Sequence, residues 1–596
     1  MNNTKLSQLN MKQKVLAAAI AALALAPGAQ AIEFSNGELS GSWDTTISYG
    51  ASWRMEEPCD RCIGKANINP GVILLDPASR VTAPGRFSVN SDDGNMNYDD
   101  GDLISHAIKV TSELGFSWRN FGGFFRATAF HDFENNDDFL APLTGRFGDA
   151  RDYVGEDVRL LDAYVYADFE AGDSLGTIRL GRQVVSWGEN VFIQGGVNVI
   201  NPVDVSKLRV AGAELKEAFL PIDQVWMSMD LTENLSMEAL YMFEFEQIDP
   251  DPAGTYFGGN DFAVPGGEFV MLNFGLLDEG FPGATVPRAA DRSPDDSGQY
   301  GFALRYFASE LNDTEFGVYY LNYHSRLPLI SGISVRNSSA ESAEYFIEYP
   351  EDIEMYGFSW NTEIAGWAFA GEISYRDNIP LQVDDVELLF TALTPLNGAI
   401  GNPFNQFVSQ LGTVGFGEEV RGWERHEQSQ LQFSLTRIFG PNFGADQIVF
   451  LAEFGLNKVW DLPDQSELRY QGPGTDTGGG PDIFGGASRN PLTLNDGFAT
   501  ESSWGYRMVT RWDYSNAFGT PFTLSPRLAF NHDVNGTTPG PGGSFIEDRK
   551  SLTFGVGGSY LERWGADIAY TRFSGGGQFN LLRDRDFLGV SVRYSF

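Results

Sequence analysis

The C-terminal stretch Phe587-Leu-Gly-Val-Ser-Val-Arg-Tyr-Ser-Phe596 decides the fold that this sequence predicts. Side chains of a β-strand alternate between the two faces of a sheet. Here the apolar face carries Leu588, Val590, Val592, Tyr594 and Phe596, and the polar face carries Gly589, Ser591, Arg593 and Ser595. An apolar outside, a polar inside and a terminal Phe are typical of the closing strand of an outer-membrane β-barrel. A soluble β-sandwich has the same alternation, so the rest of the chain decides between them.

The segment Leu39–Met55 repeats this alternation close to the other end of the chain. Its odd positions are mainly apolar or aromatic and its even positions are polar, over 17 residues without a phase error. A strand of a soluble protein has about 5–6 residues, whereas a tilted strand that crosses a bilayer needs ~9–11. The length of this segment favours a membrane barrel.

Eighteen segments of the chain fit the same template, and the links between them alternate in length. Links after the even-numbered segments are short, whereas those after the odd-numbered segments are mostly long, such as 56–101, 188–223, 248–297, 378–423 and 462–499. Bacterial barrels have short periplasmic turns, long external loops and an even number of strands. We predict an all-β fold, a transmembrane antiparallel β-barrel of about 18 strands, with 16 as the close alternative. One of the eighteen strands is assigned to 343–360.

The N-terminal residues 1–31 have the pattern of a cleaved signal peptide. Its basic part holds Lys5, Lys12 and Lys14, its apolar part is Val15–Ala26, and its cleavage site is Ala29-Gln30-Ala31. Twelve apolar residues are too few to cross ~30 Å of hydrocarbon. We predict export and removal of residues 1–31, which leaves 32–596 as one barrel domain.

The composition is strongly acidic and narrows the class of protein. The formal charge of −39 becomes −42 when the three signal-peptide lysines are removed, because residues 1–31 hold no acid. Such a chain repels nucleic acid, so no nucleic-acid partner is expected. No long apolar run follows Ile32, which excludes a helical membrane protein. The expected surroundings are lipopolysaccharide, with its divalent cations, and outer-membrane lipid.

Cys59 and Cys62 are the only cysteines of the chain, in the sequence Cys-Asp-Arg-Cys. An exported protein enters an oxidising compartment, so we predict a local disulfide in an external loop. A zinc site needs a second pair of ligands, which the sequence lacks. The acidic stretch Asn90–Asp102 has no EF-hand spacing, and we prefer solvation to weak Ca²⁺ binding there. We assign no metal site and no cofactor.

Eight basic residues fall on the polar faces of the predicted strands. They are Arg54, Lys109, Arg305, Arg376, Arg507, Arg511, Arg527 and Arg593. One interpretation is an electropositive track along the lumen for anions such as carboxylates, because rings of charge set the selectivity of a pore. The other is charge balance against lumen acids, which are nearly as numerous: Asp44, Glu113, Asp162, Asp230, Glu238, Glu372 and Glu453.

The third external link, 188–223 within the stretch Val184–Gln224, is rich in Asn, Gly and apolar residues. A surface loop does not need so many apolar residues, whereas a segment folded into the lumen does. We predict that it folds inward and narrows the channel, with a short helix within Val205–Leu220. Its charged members would then lie at the constriction: Glu189, Asp204, Lys207, Arg209, Glu214 and Lys216. Val197, Val199, Ile200, Val203 and Val205 would offer an apolar surface to a hydrophobic solute. The alternative is a cap over the barrel mouth.

The segment Leu180–Pro221, followed by Leu231–Phe257, resembles an uncharacterised proteobacterial outer-membrane family. The most specific parts are Gly181-Arg-Gln-Val-Val-Ser-Trp-Gly-Glu189 and Ile200-Asn-Pro-Val-Asp-Val-Ser-Lys-Leu-Arg209. The resemblance covers essentially the whole chain. It implies a barrel with a signal peptide and a terminal Phe, and an association with lipid, steroid or other hydrophobic-compound metabolism. It implies no catalytic residues.

We predict an outer-membrane channel or transporter that passes a small, hydrophobic or amphipathic molecule. The chain contains no G-x-S-x-G elbow, H-E-x-x-H helix or P-loop, and we expect no enzyme. The expected partners are the solute and the barrel assembly machinery, which would recognise the C-terminal strand. The alternative is a plugged surface barrel with a structural or adhesive role.

Overall fold

A computed structural model of the protein describes residues 32–137, 150–279, 281–400, 406–481 and 489–596. The predicted signal peptide, residues 1–31, lies outside these ranges and stays a prediction. β-Strands are the main regular structure of the described chain, and the helices are short and lie in the loops. Within the described ranges, none of the helices has the length and apolar character of a membrane-crossing helix.

Eighteen strands form one closed antiparallel barrel, which confirms the predicted fold and decides between 18 and 16. They are β1 (Leu39–Arg54), β2 (Leu103–Trp118), β3 (Phe121–Asp132), β4 (Glu156–Ala171), β5 (Ser174–Gln183), β6 (Ile222–Thr232), β7 (Leu235–Met242), β8 (Tyr300–Ala308), β9 (Thr314–Tyr323), β10 (Ile353–Ile364), β11 (Trp367–Gln382), β12 (Trp423–Phe439), β13 (Gln447–Trp460), β14 (Ser502–Ala517), β15 (Phe522–Asn535), β16 (Lys550–Tyr560), β17 (Trp564–Ser574) and β18 (Phe587–Ser595). Each pairs with the next, and β18 pairs with β1 to close the barrel, with Ile47 opposite Tyr594.

The N-terminal and C-terminal ends of the described chain meet at the closing seam. Residues Ile32–Asn36 form an extra strand that turns back along the first residues of β1, an element that sequence analysis did not predict. Thr45 and Phe596 exchange two backbone hydrogen bonds, of 2.8 and 2.9 Å. The terminal Phe is thus part of the closure itself.

The two faces of the strands differ as the alternation predicted. In β1 the outward Trp43 is 50% exposed, whereas the inward Ser52 is 1% exposed. Exposed apolar side chains recur on the outer face of the other strands, for example Val318, Phe554 and Ile568. A closed barrel leaves no backbone edge unpaired, so its outer face can contact hydrocarbon. This architecture places the protein in the bacterial outer membrane.

The prediction of one strand at 343–360 is wrong. Residues Glu344–Glu348 pair with Leu329–Ile333 in a small external sheet that also holds Glu419–Val420, and β10 begins only at Ile353. Both parts of the segment alternate with period two. Periodicity alone therefore could not separate an external hairpin from a barrel strand.

The long external loops fold together into a cap with an apolar core of its own. Its core includes Phe262, Val335, Tyr345, Ile347, Phe390 and Leu393. A two-stranded sheet pairs Phe269–Met271 with Thr285–Pro287. The α-helices of the loops are Lys65–Ile68, Pro77–Thr82, Asp93–Met96, Phe133–Asp137, Ala150–Val154, Val205–Arg209, Leu215–Ala218, Asp385–Leu393 and Asn397–Ile400. Short 3-10 turns lie at Asp60–Cys62, Val72–Leu74, Ala340–Ser342, Thr394–Leu396 and Gly577–Phe579.

Candidate functional site

The link between β5 and β6, residues 184–221, enters the barrel, and we call it the lumen loop. Gln183 and Ile222, on either side of it, are paired across the two strands. At the base of the loop the Asn201 side chain accepts a hydrogen bond from the Val185 amide (2.9 Å) and donates one to the Leu220 carbonyl (2.9 Å). The loop therefore leaves and rejoins the wall at one place.

Two inward carboxylates hold the first half of the lumen loop. On β11, Glu372 accepts from the backbone amide of Val197 at 2.7 Å and also from that of Glu189. On β13, Glu453 accepts from three successive amides, those of residues 191–193, at 2.7–2.8 Å. Hydrogen bonds to a charged acceptor are stronger than neutral ones. The inward folding that the sequence predicted is thus fixed by backbone contacts.

The second half of the lumen loop is fixed to a different part of the wall. The Glu217 carboxylate accepts from Thr111 on β2 at 2.6 Å and forms an ion pair with Lys109. On the adjacent strand, Gly50 of β1 lies so close to Ala211 that any side chain at position 50 would overlap the Ala211 carbonyl oxygen. One half of the loop therefore contacts β11 and β13, and the other half contacts β1 and β2. The loop crosses the lumen between them.

The buried apolar residues of the lumen loop face the wall, not the channel. Val197 and Ile200 are fully buried in a cluster with inward residues of the wall such as Tyr319 and Leu321. The expectation that the loop valines and Ile200 offer an apolar surface to a solute is wrong for these two positions. The exposed apolar residues of the loop are Val191, Phe192, Leu208 and Leu215. These four side chains are the large apolar groups of the loop that stay open to solvent.

The six charged loop residues predicted at the constriction all have partners. The partners are the Asn361 amide for Glu189, the Lys207 backbone for Asp204, the Tyr153 carbonyl for Lys207, Asp251 for Arg209, Arg593 for Glu214 and Glu113 for Lys216. Asp204 caps the short helix Val205–Arg209. This helix and a second one, Leu215–Ala218, are present in place of the single predicted helix. These contacts fasten the loop to its surroundings, so charge reversal at Lys207 or Arg209 would act first on loop anchoring.

Each of the eight inward basic residues has a polar or charged partner. Seven form ion pairs: Arg54 with Asp584, Lys109 with Glu217, Arg305 with Glu238, Arg507 with Asp533, Arg511 with Asp513, Arg527 with Asp567 and Arg593 with Glu214. Arg376 donates to the Tyr323 hydroxyl and the Gly196 carbonyl. Of these seven acidic partners, only Glu238 is among the lumen acids that the sequence offered for charge balance. Arg511 and Arg593 keep about half of their side chains exposed, at 49% and 55%.

A cavity of about 320 Å³ lies in the external cap. Most of its lining is apolar, and the main apolar side chains are Phe87, Phe262, Leu272, Phe274, Val386 and Leu388. Its polar part contains the ion pair of Arg86 with Asp476, in which the Nε–Oδ2 distance is 2.9 Å, and Asp385. Burial and the Asp476 carboxylate raise the pKa of Asp385.

Sequence analysis missed this cavity because its lining comes from several loops that are far apart in the chain. The one signal was the number of aromatic and aliphatic residues within the long loops, which a solvated loop does not need. One hydrogen bond connects the cavity region with the lumen loop. Gly543 lines the cavity, and the next residue, Ser544, donates a hydrogen bond to the Gln194 carbonyl at 3.1 Å.

Cys59 and Cys62 are joined by a disulfide in the first external loop. The Arg583 guanidinium donates to both sulfurs at 3.1 Å, which joins this loop to the segment before β18.

We expect the two cysteines to be unreactive to a membrane-impermeant maleimide on intact cells until a reductant is added. The reason is that a disulfide sulfur has no thiolate to attack the reagent. Mass spectrometry of the labelled protein counts the adducts, with two expected after reduction. Two adducts without reductant would contradict the disulfide.

The sequence and the fold were compared with known proteins. The profile of the family described as "Protein of unknown function (DUF1302)" matches residues 12–596. No curated protein matches the chain. Pseudomonas aeruginosa OccK2 (OpdF), solved in complex with glucuronate, shares 9% identity with a TM-score of 0.36, covering 93% of this chain and 98% of that one. Acinetobacter baumannii OccAB1 shares 9% identity with a TM-score of 0.40, and the match covers 93% of this chain and 96% of that one. Pseudomonas putida OprB shares 8% identity with a TM-score of 0.37, and the match covers 93% of this chain and 94% of that one.

Proposed function

Because this chain belongs to the family described as protein of unknown function (DUF1302), which names no activity, we propose its function from its geometry. The protein is an outer-membrane channel that takes up a small hydrophobic or amphipathic molecule. The observation that carries this proposal is the apolar cavity in the cap, whose wall is hydrogen-bonded to the lumen loop through Ser544 and Gln194.

The cavity has the size and lining of a ligand site. Ligand pockets span ~300–1,000 Å³ and are mostly apolar with a few placed polar groups, and the cavity is about 320 Å³. Transfer of apolar surface from water into such a lining gains about 25 cal/mol per Å². Further inward, the exposed Phe192, Leu208 and Leu215 of the lumen loop provide apolar contacts for the same molecule.

The charges at the polar end of the cavity favour an uncharged head group. Arg86 is already paired with Asp476, and Asp385 adds a second acid beside them. A carboxylate on the solute would face the Asp476 carboxylate, whereas a hydroxyl can donate to it. We therefore propose a neutral amphiphile, such as a long-chain alcohol or a sterol, in preference to a fatty acid. The association of the resembled family with lipid and steroid metabolism agrees with this class.

Two further partners belong to this proposal. Lipopolysaccharide and outer-membrane lipid contact the outer face of the barrel, since that face is apolar. The barrel assembly machinery recognises β18, which closes the barrel and ends in Phe596.

A plugged barrel with a structural or adhesive role is the second candidate. The observation that favours it is the anchoring of the lumen loop on both sides of the lumen, through Glu372 and Glu453 on one side and Glu217 on the other. The two candidates differ in conductance, because a plugged barrel passes no ions at rest.

Filling the cavity tests the first candidate. We expect Val270→Trp, which adds an indole to a partly buried lining position, to reduce labelling of the cap by a diazirine-bearing long-chain alcohol at least tenfold. The measurement is photo-crosslinking of the protein in lipid nanodiscs, with the labelled peptides identified by mass spectrometry. The matched control is Leu74→Trp, at an exposed position of the first external loop.

The same labelling experiment tests the preference for an uncharged head group. The corresponding diazirine fatty acid should label the same peptides several times more weakly than the alcohol. If Val270→Trp and Leu74→Trp label alike, the alcohol does not bind in this cavity.

A further inference from the structure

Three aspartates from two external loops meet in the interior of the cap, and we call them the three-Asp cluster. Asp92 and Asp93 come from the loop between β1 and β2, and Asp261 comes from the loop between β7 and β8. One carboxylate oxygen of each lies within 4.8 Å of the others. Asp92 and Asp261 are 0% exposed and Asp93 is 2% exposed.

This burial changes the interpretation of the acidic stretch Asn90–Asp102. Sequence analysis preferred a solvated loop there and assigned no metal. In the structure, Asn95 and Asn97 are buried together with the aspartates, and each donates a side-chain hydrogen bond within the cap. Water is therefore not available to screen the carboxylates, and burying carboxylate charge without a counter-charge is costly.

One oxygen of the cluster points to a missing ligand. Oδ2 of Asp92 accepts hydrogen bonds from the Gly64 amide (2.6 Å) and the Asn67 side chain (3.0 Å). Its other oxygen, Oδ1, is fully buried and has no hydrogen-bond partner among the described residues. A buried acceptor normally has a partner, because an unmade hydrogen bond costs about 1–3 kcal/mol and more for a charged group.

Charged groups of both signs surround the three-Asp cluster. Around it lie the acids Asp92, Asp93, Asp261, Asp476 and Asp584 and the cations Arg54, Arg86 and Arg585. Arg86 faces Asp476, and both Arg54 and Arg585 face Asp584. The ion pairs of these three arginines are therefore made with acids outside the three-Asp cluster.

We propose that Asp92, Asp93 and Asp261 bind a divalent cation, Ca²⁺ in preference to Mg²⁺. Ca²⁺ takes 6–8 oxygen ligands in irregular geometry, whereas Mg²⁺ demands an octahedron and keeps several waters. A buried cluster of carboxylates on two folded loops suits the first ion. The site is independent of the proposed transport function.

The position of the three-Asp cluster gives the cation a structural role. Asn90 and Ser91 precede Asp92 and line the external cavity, and Asn260 and Phe262 flank Asp261 and line it as well. The cation therefore joins two walls of the cavity that come from loops more than 160 residues apart, 92 and 261. Removing it should loosen the cap while leaving the barrel closed.

The site is tested by isothermal titration calorimetry. CaCl₂ is titrated into the full-length mature protein in detergent, after EDTA has removed bound metal ions. We expect one Ca²⁺ per chain with a Kd of about 10⁻⁶–10⁻⁴ M, the range between sensor and extracellular sites. Asp92→Asn and Asp261→Asn should each weaken binding at least tenfold. Asp100→Asn, an exposed acid of the same loop, should bind as the wild type does. Heat-modifiable migration on a gel shows that each variant barrel is folded.

Limited proteolysis of the unmodified protein gives a second readout that needs no variant. EDTA should accelerate cleavage in residues 56–102 and 243–299, and added Ca²⁺ should restore protection. In EDTA, Asp92→Asn should resist cleavage better than the wild type because it removes one buried negative charge, and it should no longer respond to Ca²⁺. The proposal is overturned if the wild type binds neither Ca²⁺ nor Mg²⁺, or if binding is equal in wild type and Asp92→Asn.

Discussion

Single-channel conductance in planar bilayers should rise severalfold when residues 186–219 are replaced by a four-residue Gly/Ser turn. The lumen loop crosses the barrel from contacts on β11 and β13 to contacts on β1 and β2. A barrel of 18 strands is too wide for wall side chains to fill, so we expect the loop to be the main obstacle in it. The replacement is short because Gln183 and Ile222 are already paired across β5 and β6.

A milder variant separates the anchoring of the loop from its presence. Glu372→Gln with Glu453→Gln removes the charges that hold five loop amides, so we expect a noisier and larger conductance with the loop still attached. Glu363→Gln, at an exposed position near the turn after β10, is the matched control. Replacement of the exposed loop tip 336–339 by Gly/Ser residues controls for loop surgery in general. An unchanged conductance in the 186–219 replacement would show that this loop does not set the width of the channel.

Ile47→Lys should destabilise the folded barrel by ~2–4 kcal/mol, the cost of a lysine on the lipid face close to the bilayer midplane. Ile47 is on the outer face of β1, between the outward Trp43 and Trp53. Aromatic side chains of this kind mark the two membrane interfaces. Urea titration of the protein in lipid vesicles, followed by tryptophan fluorescence and by heat-modifiable migration, gives the free energy of unfolding.

The matched control for Ile47→Lys is Thr46→Lys, one residue away on the inner face. There the new ammonium group meets the water of the lumen and lies on the same face as Asp44. Ser48 also faces inward but is unsuitable, because it is 6% exposed and Gly50, its neighbour on that face, contacts the lumen loop. Equal losses of stability at positions 46 and 47 would mean that the outer face of β1 is not the lipid face.

The sequence by itself determined the barrel. Alternation of period two, as in Leu39–Met55 and Phe587–Phe596, reflects a wall with hydrocarbon on one side and a polar lumen on the other. That constraint acts on each strand separately, so each strand shows it locally. The count of alternating segments predicted about 18 strands, and the alternation of short and long links indicated which links are external. The prediction failed at 343–360, where an external hairpin alternates in the same way as a barrel strand.

Only the tertiary structure decided which charges are paired and where the external cavity and the three-Asp cluster lie. Glu217 of the lumen loop pairs with Lys109, and Asp92 meets Asp261, although each pair is separated by more than 100 residues. Loops have no repeating backbone geometry that would place side chains at fixed spacings. Their contacts are made with whatever the closed barrel brings near them, so a charge or an apolar residue in a loop shows its role only after the chain has folded.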